Sequence, residues 1–128
     1  MHSDIFPFLV AIGGALGALA RYFTTLLMAQ WMGTFFPWGT LAVNGAGSFL
    51  MGIAAVLLFR VYPHPGAAAF LITGFLGGLT TFSSFMNEVL QFFLGGAPAE
   101  ALLYLCLQLA GGLLLIASGY FLAEKLFL

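Results

Sequence analysis

Four apolar runs parted by short turns constrain this chain more than any other feature. They extend from about Ile5 to Met28, Gly39 to Phe59, Ala67 to Phe93 and Ala101 to Leu122. A membrane-spanning helix needs about twenty predominantly apolar residues, and each run supplies them. The breaks carry turn chemistry: Gly33 to Trp38 with Pro37, Val61-Tyr62-Pro63-His64-Pro65-Gly66, and Gly95-Gly96-Ala97-Pro98. Trp31, Trp38 and Tyr62 stand at run ends, where aromatic rings settle at the membrane interface. Only 5% of the 128 residues are charged, against about a quarter in a soluble domain. The expected fold is therefore an all-α membrane protein, a single four-span domain over residues 1–128. A net charge of −1 leaves no basic face for nucleic acid.

The start, Met1-His2-Ser3-Asp4, has no Lys or Arg ahead of the first run, so that run is expected to stay in the mature protein. Four spans put both termini on one side. Lys and Arg normally set orientation, and here there are three in all. Arg60 and Lys125 fall on the terminus side, and Arg21 lies towards the opposite end of the first span. Two readings stay open. One is a weak positive-inside orientation. The other is insertion in both senses, with two opposed copies pairing about an axis in the membrane plane, as inverted repeats do in many transporters.

One segment stands apart. Gly74-Phe75-Leu76-Gly77-Gly78-Leu79-Thr80-Thr81-Phe82-Ser83-Ser84-Phe85 packs glycines, hydroxyls and phenylalanines into a dozen positions of the third run. Glycine loosens a helix, and hydroxyls satisfy the backbone groups that loosening frees. A break at membrane depth is tolerated only where it is buried in protein or lines a wet pathway. The third helix is expected to break beside Gly74, Gly77 and Gly78. Carbonyls freed at Gly77 and Thr80 in a dry interior attract a cation. The remaining glycines, such as Gly13 with Gly17, Gly45 with Gly52, and Gly111 with Gly119, read as helix-packing positions.

Among chemical residues, Asn44 needs partners in hydrocarbon. It serves either an interhelical hydrogen bond or, through its two N–H donors, a passing anion. Phe82 and Phe85 are three apart and are expected to share a helix face. They either face lipid or pack in the core, or else their positive ring edges touch a small anion without trapping it. Arg21 either concentrates anions at a wide mouth, or snorkels to the interface or pairs with an acid such as Glu88. Glu88 itself reads as interfacial. Cys106, alone in an apolar run, reads as a buried inert thiol. There is no Walker loop, dinucleotide fingerprint, CxxC or HExxH, and His2 and His64 have no companion ligands nearby. An enzyme is not expected.

Three segments together resemble the Fluc (CrcB) fluoride channel family: Gly13 to Tyr22, Gly39 to Phe49, and Gly74 to Phe85. The resemblance covers essentially the whole chain. It implies a passive, selective fluoride channel of the bacterial inner membrane, built as a dual-topology antiparallel homodimer with two pores. It further implies that Phe82 and Phe85 are pore phenylalanines and Asn44 the pore asparagine. By the same resemblance, Thr81 and Ser84 belong to a polar track, Tyr104 is a pore-lining tyrosine and Arg21 is the vestibule arginine. The carbonyls of Gly77 and Thr80 correspond to the donors to a structural sodium ion at the dimer axis. One departure stands out: Gln108 and Gly112 occupy positions where some members carry fourth-span serines. Two rivals remain, a small proton-coupled exporter and a non-transporting accessory subunit. The first needs a membrane-embedded carboxylate to couple protons, and the first span here has none between Ile5 and Ala20.

Overall fold

A computed structural model describes residues 4–128, so His2 lies outside the described residues. Among the described residues, five helices appear in chain order. Helix α1 is Phe6–Met32. Helix α2 is Trp38–Val56, continued by a π-wound turn Leu57–Val61. Helix α3 begins at Pro65–Ala68, widens into a π-wound stretch Ala69–Leu76 and ends with Gly77–Leu79. Helix α4 is Ser83–Leu94, and α5 is Pro98–Phe127. By length and hydropathy these make four spans, Phe6–Met32, Trp38–Val61, Pro65–Leu94 and Pro98–Phe127, with α3 and α4 sharing the third. The protein is a multi-pass membrane protein.

Turn chemistry sets the ends of the helices. Gly33 closes α1 at φ 81°, a left-handed conformation open to glycine, and Gly96 turns the chain into α5 at φ 74°. His64 caps α3, its Nδ1 accepting the Ala67 N–H at 2.9 Å, with Pro65 at the first helical position. Hydropathy carried no sign of the π-wound stretches, in which a residue is squeezed into the helical turn.

The spans pack as two close pairs, α1 on α3 and α2 on α5. Glycines make this possible. A Cβ at Gly52 would run into the Ile116 carbonyl, and one at Gly119 into the Phe49 carbonyl. Without a hydrophobic drive between helices in lipid, the close packing this approach allows is one source of cohesion, beside interhelical hydrogen bonds.

The glycine cluster of the third span belongs to this packing, which corrects the sequence expectation. A Cβ on Gly74 would lie 3.0 Å from the Gly13 Cα, and one on Gly78 2.5 Å from the Gly14 carbonyl oxygen. These glycines dock α3 on α1 within helical backbone. The break comes after them, at Thr80–Phe82, where Thr80 turns to extended backbone at φ −86°, ψ 154°. Cys106 is also corrected: it is exposed on the outer surface of α5.

Candidate functional site: a clamped helix break

The break is held from outside its own helix. In a continuous helix the Thr81 N–H would go to the Gly77 carbonyl. It goes instead to Asn44 Oδ1 at 2.8 Å, and Asn44 Nδ2 returns a bond to the Thr81 carbonyl at 3.0 Å. The Asn44 amide thus pairs with the broken backbone much as a neighbouring strand would. On the upstream side, Thr80 Oγ1 bonds back to the Leu76 carbonyl at 2.8 Å. Downstream, the Thr81 hydroxyl accepts the Ser84 N–H at 3.3 Å and caps the first turn of α4. The carbonyls of Gly77 and Thr80 lose the N–H partners a continuous helix would give them.

Arg21 joins the same feature. Its Nε donates to the Gly78 carbonyl at 3.0 Å, so the cation sits against the C-terminal turn of α3, where helix dipoles favour positive charge. The pairing of Arg21 with Glu88 offered by the sequence does not form. Glu88 receives the Thr40 hydroxyl at 2.8 Å and the Tyr104 hydroxyl at 3.0 Å.

Glu88 ends a polar chain through the protein. Asn44 Nδ2 also donates to Gln108 Oε1 at 3.2 Å, and Gln108 Nε2 donates to Tyr104 Oη at 2.9 Å. The line runs from the break through Asn44, Gln108 and Tyr104 to Glu88 and Thr40. Asn44 therefore uses its donors within the protein in this conformation, so the interhelical bond is the reading the geometry realises. Sequence reasoning missed Thr40 and Glu88 as members of the line and named Gln108 only as a departure. The available signal was helical spacing, since Tyr104 and Gln108 are four apart and Phe85 and Glu88 three apart, each pair on one face.

The phenylalanines do not share a buried face. Phe82 precedes α4 and is 69% exposed, whereas Phe85 is buried at 4%. Their rings nonetheless meet edge to face, centroids 6.0 Å apart at 87°. Phe85 stands edge to face with Tyr104 at 5.3 Å, and Tyr104, fully buried, also meets Phe36 at 5.3 Å.

Two recesses flank this line. One, about 410 Å³, is a groove between α2, α3 and α5, lined by Asn44, Gly77, Thr80, Thr81, Phe82, Phe85 and Gln108 among others. The other, also about 410 Å³, opens beside the 33–37 and 95–97 turns and contains Thr40, Glu88, Gln91 and a rim of aromatics. The polar line connects the two. Among the described residues no cluster of His, Cys, Asp or Glu suits a metal ion, so a cation here has only carbonyl and hydroxyl oxygens to meet. That donor set suits a hard cation better than a soft transition metal.

A four-span helical membrane protein with a side-chain-clamped break in its third span is the class these features define. Residues 8–120 match the family described as CrcB-like protein, Camphor Resistance (CrcB). The chain belongs to the CrcB family. It is similar to a protein of Rhodospirillum centenum described as fluoride-specific ion channel FluC, 46% identical over 88% of this chain and 86% of that one. A protein of Chelativorans sp. with the same description is 42% identical over 92% and 95% of the two chains. A third, from Thermus thermophilus, is 46% identical over 88% and 90%.

Proposed function

We propose that this protein is a passive fluoride channel of the bacterial inner membrane. The observation that carries the reading is the break at Thr80–Phe82, clamped by Asn44 and opening on a groove with the edge-to-face pair Phe82 and Phe85. The descriptions of its relatives agree with it. Outside acid makes neutral HF, which crosses lipid and dissociates in the cytoplasm. The channel lets the anion leave, driven by an inside-negative potential worth about 2.3 kcal/mol per charge per 100 mV.

The working unit in this reading is an antiparallel homodimer with two pores. The exposed Phe82 and the open groove support it, because a second copy laid against that face encloses the break. Fluoride moves along ring edges of Phe82 and Phe85 and past hydroxyls of Thr81 and Ser84. Tyr104 shapes the track from behind, and Arg21 raises anion concentration at its mouth. Selectivity arises from a narrow hydrogen-bonding track that larger halides do not enter. The Gly77 and Thr80 carbonyls of both copies hold a sodium ion at the dimer axis, which supplies a fixed positive charge and ties the two breaks together. No bond in the conducted ion is made or broken, so the protein works without catalysis.

The test is fluoride efflux from liposomes carrying the purified protein, followed with a fluoride electrode and with chloride as control. Rapid fluoride release without chloride release and without a proton gradient is the expected result. No release from folded, dimeric protein overturns the reading.

A further inference from the structure

The polar line has a direction, and the backbone fixes it. At one end stands the Thr81 N–H, a donor that cannot be reversed. It forces Asn44 to present Oδ1, at 2.8 Å, and so to donate from Nδ2 to everything else it touches. Gln108 must then accept from Asn44 with Oε1 and donate with Nε2 to Tyr104 Oη. Tyr104 has a single proton. With its oxygen already accepting, that proton is free to point at Glu88 Oε1, 3.0 Å away. Each link follows from the one before it.

Gln108 is the member on which this logic turns. It is 8% exposed and spans the gap between a residue of α2 and one a turn earlier on its own helix. The slot needs an acceptor on one side and a donor on the other, a wide gap that an amide of this length fills. We propose that Gln108 is a positioning residue that couples the third-helix break to the recess carboxylate Glu88. Through it, the clamped geometry of Thr81 sets where the Tyr104 proton points. In the reverse direction, whatever occupies Glu88 biases the clamp. The meaning of this coupling for conduction rests on the channel reading above, but its existence does not.

The slot's polarity supplies a test by exchange of groups. Gln108→Glu keeps the shape but offers only acceptors when ionised. The Tyr104 proton then has two carboxylates competing for it, and one carboxylate oxygen is left facing Tyr104 Oη with no proton between them. Glu88→Gln in the same chain restores a full set of bonds. The amide introduced by Glu88→Gln donates to Tyr104 Oη and accepts from Thr40 with its carbonyl. Tyr104 and Asn44 both donate to the carboxylate introduced by Gln108→Glu. The middle of the line reverses while both ends are unchanged.

The readout is amide hydrogen exchange over residues 77–85 in wild type, Gln108→Glu, Glu88→Gln and the double variant, with fluoride flux recorded on the same samples. Gln108→Glu is expected to speed exchange about tenfold by leaving one buried polar group unpaired. Glu88→Gln alone changes it little, because its amide can turn its oxygen to Tyr104 and its nitrogen to Thr40. The double variant returns to within about threefold of wild type, the rescue that only coupled residues give. A double variant that exchanges as fast as Gln108→Glu alone overturns the proposal.

A second pair covers the case in which Gln108→Glu does not fold. Glu88→Ala should speed exchange at 77–85 with Gln108 present and change it by less than about twofold in a Gln108→Leu background. Equal effects in both backgrounds overturn the coupling. Rescue of exchange in a protein whose wild type passes no fluoride supports the coupling and overturns the channel reading.

Discussion

Asn44 and Thr81, 37 residues apart, form a two-point pair: the Thr81 N–H meets Asn44 Oδ1 at 2.8 Å, and Asn44 Nδ2 meets the Thr81 carbonyl at 3.0 Å. An isolated break in hydrocarbon leaves these backbone groups unsatisfied, at a cost of several kcal/mol each. The pair makes the break tolerable, and it makes Asn44 a structural member of the site.

Removing it should be costly. Asn44→Leu leaves a donor and an acceptor of the break unpaired, each worth about 1–3 kcal/mol. Thermal unfolding in detergent should show a clear loss of stability, and fluoride flux should fall with it. Asn44→Asp should recover part of the stability, since a carboxylate still accepts the Thr81 N–H. Equal stability of Asn44→Leu and wild type would remove the clamp from the account.

The two phenylalanines should separate stability from conduction. Phe82 is exposed in the single chain and, among the described rings, meets only Phe85 edge to face, so Phe82→Ile should cost the protomer about 1 kcal/mol or less. Phe85 is buried against Tyr104, so Phe85→Ile should cost about 1–3 kcal/mol through cavity and shape change. Each should cut fluoride flux about fivefold if ring edges, worth about 1 kcal/mol apiece, face the ion. Flux unchanged in both variants would sink the ring-edge part of the mechanism.

Close backbone approach should be visible as a contrast between glycines. A methyl at Gly119 meets the Phe49 carbonyl, whereas one at Gly14 finds its nearest atom, the Gly74 carbonyl oxygen, at 3.8 Å. Gly119→Ala should destabilise by about 1–3 kcal/mol through overpacking, and Gly14→Ala should stay within about 0.5 kcal/mol. Melting temperatures of the two variants in one detergent decide the matter.

Arg21 should act twice. Its bond to the Gly78 carbonyl, 3.0 Å long, is charge-assisted, and such bonds contribute about 1.5–3 kcal/mol. Its charge also draws anions, an effect that salt screens over about 10 Å at 0.1 M. Arg21→Gln should therefore lower both stability and flux, with the flux deficit shrinking as ionic strength rises. A deficit independent of salt would leave only the structural role.

Sodium at the Gly77 and Thr80 carbonyls should stabilise the protein by mass action. At a concentration one hundred times its dissociation constant, a ligand adds about 2.7 kcal/mol. Exchange of sodium for N-methylglucamine should lower the melting temperature, and sodium should restore it where larger cations do not. No dependence on sodium would remove the ion from the proposal.

The four spans were legible because hydropathy and turn residues are local signals. Pro37, Pro63 with Pro65, and Gly95 with Gly96 marked the turns within a few residues. The helices run on past the apolar runs, as α1 does to Met32 and α5 to Phe127. The break was legible in kind but displaced. Gly74 and Gly78 drew it towards themselves, yet their lack of a side chain serves contact with Gly13 and Gly14 on α1. Thr80 and Thr81 carry the turn because a partner 37 positions away from Thr81 accepts it. The line from Asn44 to Glu88 was hidden for the same reason. Its links join residues 64 and 16 positions apart as well as four, and nothing local says which amide faces which hydroxyl.

The order in which the clamp's members leave the ribosome matters. Asn44 is made before the segment it stabilises, so a second span is already at hand when Thr81 arrives. Gln108 comes 64 residues after Asn44, roughly 3 to 13 seconds later at ordinary synthesis rates. Until it arrives the break has its clamp but not the residue that carries the clamp's direction onward. The third span is thus finished by the fourth: a chain that stops short of Gln108 contains both partners of the clamp but not the residue that joins them to Tyr104 and Glu88.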